Sequence, residues 1–72
     1  MHVASVEIFR TNVVRKHDSI QIIKELKEIF PDCSINFDLT DCDRILRVEG
    51  NTISIIDIIE IVKRMGFECE LY

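Results

Sequence analysis

Residues Cys33 to Glu49 limit the possible folds most sharply. From Cys33 to Leu39 the residues alternate: Cys33, Ile35, Phe37 and Leu39 point one way, Ser34, Asn36 and Asp38 the other. Such alternation belongs to a half-buried strand. Arg44 to Glu49 alternates again, with Leu46 and Val48 inward and Ile45, Arg47 and Glu49 outward. Between the two runs, Thr40-Asp41-Cys42-Asp43 has the composition of a turn. Two alternating runs around a short polar turn make a β-hairpin. Gly50-Asn51 closes it.

A helix-period segment lies on each side of the hairpin. In Ser19–Phe30, the residues Ile22, Ile23, Leu26, Ile29 and Phe30 fall on one stripe, while Lys24, Glu25, Lys27 and Glu28 face water. Asp18 stands three residues before Gln21, the spacing of a capping box, so Asp18 is the expected N-cap. Pro31 and Asp32 stop this helix. The second helix is expected from Ser54 to about Met65. Ser54 and Asp57 repeat the capping spacing, and Ile53 can meet Ile58 as a hydrophobic staple. Ile55, Ile58, Ile59, Val62 and Met65 form its inner stripe. Lys63 and Arg64 suit the negative end of its dipole, and Gly66 suits a left-handed cap.

The outer strands are Val3–Phe9 and Phe67–Tyr72. In the first, Ala4, Val6 and Ile8 are expected inward and Ser5, Glu7 and Phe9 outward. In the last, Phe67, Cys69 and Leu71 share one face. The order is therefore β-α-β-β-α-β, and right-handed crossovers fold it as an α+β ferredoxin-like sandwich. Both helices cover one face of a four-stranded antiparallel sheet with strand order 4-1-3-2. The expected core includes Val6, Ile8, Ile22, Leu26, Ile35, Phe37, Leu46, Val48, Ile59 and Val62.

With 72 residues and two glycines, one proline and no repeat, the chain reads as one domain over residues 1–72. No apolar run reaches the roughly 20 residues that a membrane span needs. The opening Met-His-Val-Ala-Ser-Val-Glu lacks the pattern of a secretory leader. The cysteines Cys33, Cys42 and Cys69 form an odd, scattered set without a CxxC pair, which fits reduced thiols in the cytoplasm. A net charge of −4 disfavours nucleic-acid binding. So does the open sheet face, expected to carry Phe9, Ile45 and Tyr72 among acids rather than a stacking platform.

Three segments carry a family likeness: Ser34-Ile-Asn-Phe-Asp-Leu39, Ile45-Leu-Arg-Val48, and the helix ending Ile58-Ile-Glu-Ile-Val-Lys-Arg-Met-Gly-Phe67. Through them the chain resembles the heavy-metal-associated domains of copper chaperones and metal-transporting ATPases. That resemblance implies the same sandwich, a metal-binding Met-x-Cys-x-x-Cys loop before the first helix, and an aromatic residue beside it, here Phe67. The loop in this chain is Arg10-Thr-Asn-Val-Val-Arg-Lys-His-Asp-Ser19 and holds no cysteine. Counted from the strand, Asn12 and Arg15 stand where the thiolates would; counted from the helix, the motif falls around Lys16 to Ser19. In either register a cation replaces a soft anionic ligand.

The loop is thus a degenerate metal-binding loop with a basic cluster. Basic groups at a helix N-terminus oppose its dipole, so folding gives no reason for them, whereas an anion or an acidic surface would relieve them. The candidate recognition residues are Arg10, Asn12, Arg15, Lys16, His17 and Phe67. The hairpin turn is expected at the far end of the first helix, so Cys42 should not complete a site in the loop. Cys33 and Cys69 alternate with core residues and are expected buried. His2, next to the terminus, offers only the weak Cu(II) chelation generic to such ends.

No Ser-His-Asp pattern, carboxylate pair or phosphate loop can be assembled, and no cofactor is implied. The expectation is a non-enzymatic module, monomeric or weakly homodimeric, that binds a protein partner or a small anion. The alternative is a metal-ion binding or transport protein with a non-standard ligand set, such as His17 with a cysteine. A small-molecule sensor built on dimerised sheets is a minor third reading.

Overall fold

The computed structural model describes residues 4–72, so the expectations for Val3 and His2 lie outside the described residues. The elements are β1 (Ser5–Thr11), α1 (Lys16–Ile29), β2 (Ser34–Asp38), β3 (Ile45–Gly50), α2 (Ile55–Arg64) and β4 (Cys69–Leu71). The four strands form one antiparallel sheet in the order β2-β3-β1-β4. This is the ferredoxin-like sandwich, and its buried cluster lies between the helices and one sheet face. Phe9, Val13, Ile22, Leu26, Leu46, Val48, Ile58 and Val62 are its most deeply buried members.

The hairpin forms as its alternation requires. Ile35 faces Val48 and Phe37 faces Leu46 across the β2–β3 pair, all toward the core. Ile35 is 7% exposed, and Leu46 and Val48 are fully buried. Gly50 lets β3 pass close to Cys33 at the entry to β2, because a Cβ there would lie 2.7 Å from the Cys33 Sγ. α2 also forms as expected. Ser54 is its N-cap, Met65 its C-cap, and Gly66 follows at φ 98° in the left-handed region.

β1 corrects one expectation, because its faces are reversed. Phe9 opposes Leu46 and Glu7 opposes Val48, which puts them on the core side. Phe9 is fully buried, whereas Val6 is 41% exposed. Val6 and Ile8 lie on the open face, across from Glu49 and Arg47. The physical reason is the loop that follows. Val13 is buried, and the same parity carries Phe9 and Thr11 toward it. Burying Phe9 and Val13 together removes more apolar area than burying Val6 and Ile8 would.

Two smaller corrections concern the helices. α1 begins at Lys16 rather than Ser19, so Asp18 lies inside its first turn and Arg15 occupies the N-cap. On α2 the buried stripe is Ile58, Ile61 and Val62, with Ile59 only partly buried. Among the described residues no helix is long and apolar enough to cross a membrane.

Candidate functional site

Three connections meet at one end of the sandwich: the β1–α1 loop, the β2–β3 turn and the α2–β4 turn. The expectation for the hairpin turn is corrected here. Thr11 N–H donates to the Asp43 carbonyl at 3.1 Å, and the Thr11 hydroxyl donates to the Arg44 carbonyl at 2.6 Å. The turn therefore sits beside the loop, not at the far end of α1. β2 runs antiparallel to the helix that precedes it, so its end returns to the start of α1. Arg44 takes φ 47° to make the turn, and its guanidinium donates to the Leu39 carbonyl.

The six predicted site residues divide into three groups. Arg10 lies on the open sheet face. It forms an ion pair with Glu70 at 3.6 Å and lies 4.9 Å from the centre of the Tyr72 ring. It does not crowd the helix start. Asn12 serves the fold, because its Oδ1 accepts from the Glu68 N–H at 2.8 Å and ties the loop to the turn before β4. Phe67, next to that bond, is partly buried against the core. Arg15, Lys16 and His17 remain together and exposed at the first turn of α1.

The start of α1 is unusual in its chemistry. Arg15 has the extended conformation of an N-cap, φ −87° and ψ 135°, but its side chain makes no capping bond. The N–H groups of Lys16, His17 and Asp18 precede the first intrahelical donor, Ser19, which bonds the Arg15 carbonyl at 3.1 Å. Uncapped donors and positive side chains share one small region. Apolar surface adjoins them, with Val14 64% and Ile20 51% exposed. From there a groove of about 470 Å³ runs between α1 and β2, lined by Val14, Lys16, Ile20, Ile23, Phe37 and Leu39. Reading the sequence for charge missed this groove. Its signal was the spacing of Lys16, Ile20 and Ile23, which share one flank of the helix.

The cysteines do not gather. Cys33 and Cys69 are buried, and Cys42 is exposed in the hairpin turn. Burial pushes the Cys69 thiol from an ordinary 9.0 up to about 11, against the pull of Lys63. It stays protonated and unreactive near neutral pH. Among the described residues, the cluster able to present three metal-ligand atoms is Asp41, Cys42 and Asp43, within 4.8 Å of one another. His17 is not part of it. On the open face, Tyr72 is the aromatic residue among those described, since Phe9 is in the core.

Compared with known proteins, the chain matches no family model, no curated protein and no solved structure.

Proposed function

We propose that this chain is a non-catalytic interaction domain that binds a protein partner through the surface at the start of α1. One observation carries the reading: exposed apolar side chains, basic side chains and uncapped helix N–H groups occur together there. None of the three helps the fold. Val14 and Ile20 leave half or more of their surface in water, and the Arg15 and Lys16 charges oppose the helix dipole. A partner surface with carboxylates and apolar groups would satisfy all three at once. The apolar component favours a protein over a small free anion, and the loss of Arg10 and Asn12 from the cluster weakens a purely ionic site. The resemblance to heavy-metal-associated domains fits this reading as a shared architecture whose thiolate loop is replaced.

A photo-crosslinking residue placed at Val14 or Ile20 in the native cell tests it. Ile56, 69% exposed on α2, is the control position. A discrete adduct from positions 14 and 20, absent from position 56, is expected. Equal adducts from all three, or none, would remove the proposed surface.

A second reading, metal binding by a non-standard ligand set, rests on Asp41, Cys42 and Asp43 rather than His17. Two hard carboxylates and one thiolate on an exposed turn suit a borderline ion such as Zn(II) weakly. Zinc titration of the reduced protein, with Cys42→Ser as control, checks it. Tight one-to-one binding that the substitution abolishes would move this reading ahead of the first.

A further inference from the structure

The outer edge of β2 is unpaired among the described residues, and its backbone groups can be assigned. Tyr72 N–H donates to the Ile8 carbonyl at 2.8 Å. In an antiparallel pair, that turns the backbone groups of Ile8 and Arg10 toward β4 and those of Glu7 and Phe9 toward β3. Alternation along β3 then directs Leu46 and Val48 toward β1, and Ile45, Arg47 and Glu49 toward β2. Ser34, Asn36 and Asp38 therefore bond β3, and Ile35 and Phe37 direct their N–H and carbonyl groups outward. The Cys33 carbonyl agrees with this parity: it also points outward, where the Lys27 Nζ donates to it at 2.8 Å. One end of the edge is thus closed by a lysine, and the rest is open.

Beside this edge lies the groove under α1. Lys16, Ile20, Ile23 and Lys27 succeed one another at helical spacing along the flank toward β2, and Lys24 adjoins Ile20 and Lys27. All the lysines of α1 are on or next to this flank. Of the acids of α1, Asp18 and Glu25, seven residues apart, lie on the other side, and Glu28 follows Lys24 by one turn. The chain as a whole has a net charge of −4, so the local excess of positive charge is a departure from the rest of the molecule.

We infer that β2 accepts an extended acidic segment of a partner protein as a fifth strand. The backbone of that segment bonds Ile35 and Phe37, alternate apolar residues enter the groove beneath Ile20 and Ile23, and flanking carboxylates meet Lys16, Lys24 and Lys27. Charge also decides against a second copy as the occupant. Two-fold pairing of β2 with itself would bring the two α1 flanks together antiparallel, lysine against lysine. This inference rests on reading the chain as an interaction domain and specifies the partner's chemistry.

The probe is a set of short synthetic peptides of alternating valine and threonine, closed at both ends by glutamate. Matched controls are closed by lysine, or carry N-methyl groups on alternate amides to block strand pairing. Amide shifts and hydrogen exchange of the full chain are followed during titration. The glutamate-closed peptide should shift and protect the Ile35 and Phe37 amides, lose affinity with added salt, and fail in both control forms. The double variant Lys16→Glu/Lys24→Glu should weaken binding by roughly tenfold while leaving the fold's spectrum unchanged. No protection at Ile35 and Phe37 at millimolar peptide would overturn the strand inference. Shifts confined to Lys16, His17 and Asp18 would overturn it too, yet leave the interaction reading standing. Protection of Ile35 and Phe37 without peptide, rising with protein concentration, would replace the partner by a second copy.

Discussion

At the start of α2, Ser54 accepts from the Asp57 N–H at 3.4 Å, and its backbone is extended at φ −93° and ψ 99°. At the start of α1, Arg15 holds the same position in a similar conformation and caps nothing. Each first turn carries an acid, Asp57 in α2 and Asp18 in α1, but that of α2 leads to Ile58, which is 1% exposed, whereas that of α1 opens on Lys16 and His17 and leads to Ile20, half exposed. Both starts expose an apolar side chain, Ile56 on α2 and Ile20 on α1, but only the start of α1 leaves its donors uncapped and its basic charge free beside a groove. In a domain of this size, where total stability is only several kcal/mol, such a concession points to a use.

The largest test of the contrast compares the isoleucines near the two starts. Ile58→Ala should destabilise by about 2–5 kcal/mol, as truncation of a buried side chain does. Ile20→Ala should change stability by no more than about 0.5 kcal/mol. Urea unfolding midpoints measure both. A comparable loss at Ile20 would make the groove part of the core and remove its claim to a partner.

A smaller test exchanges the caps. Ser54→Ala should cost about 1 kcal/mol, the usual worth of an N-cap hydroxyl. Arg15→Asp should instead stabilise by about 0.5–1 kcal/mol, because it adds a cap acceptor and replaces a repelled charge by an attracted one. The same substitution should weaken adduct formation at position 14. A variant that lost stability on gaining the better cap would show that Arg15 already serves the fold, and the two helix starts would then be alike.

The same contrast explains what was legible in the sequence. Much of the second half obeyed local rules: Ser54 and Asp57 spaced for a cap, Gly66 for a positive φ, Leu46 and Val48 for a buried face, though on α2 Ile61 takes the buried place expected of Ile59. Local signals sufficed because folding alone selects them. The first half departed where surroundings outweigh local pattern. β1 is central in the sheet, with neighbours on both edges, so its two faces are both partly covered and Ile8 is half-buried on the open one. Alternation could not tell which face held Phe9. The capping box at Asp18 failed because Val13 anchors the loop in the core and leaves room for α1 to begin one turn sooner. Of the candidate site, Arg15, Lys16 and His17 were readable as a charge cluster. The bond from Glu68 to Asn12 and the pairing of Arg10 with Glu70 were not, because each joins segments far apart in the chain.

The smallest expected effect concerns the turn that lies beside α1. Here polar groups are satisfied within the turn itself: the Asp38 carboxylate accepts from the Thr40 hydroxyl at 2.6 Å and the Thr40 N–H at 3.1 Å, and Asp41 accepts from the Asp43 N–H at 2.8 Å. The Thr40 hydroxyl, first, and its N–H, second, hold the Asp38 carboxyl below its ordinary 3.8. A depressed carboxyl stabilises the fold at pH above the unfolded value of 3.8, and that contribution is lost as the pH falls through the lower, folded value. Thr40→Val removes the hydroxyl and keeps the N–H. The Asp38 carboxyl, followed by its side-chain carbon shift, should then titrate closer to 3.8. The small stability that the depressed carboxyl adds above pH 3.8, neutrality included, should then be lost, while stability below the folded value stays unchanged, so the dependence on pH on the acid side becomes shallower. Asp38 is fully exposed, so solvent screening keeps the effect small. An unchanged Asp38 titration together with a loss of stability at neutral pH would mean that the Thr40 hydroxyl serves another partner.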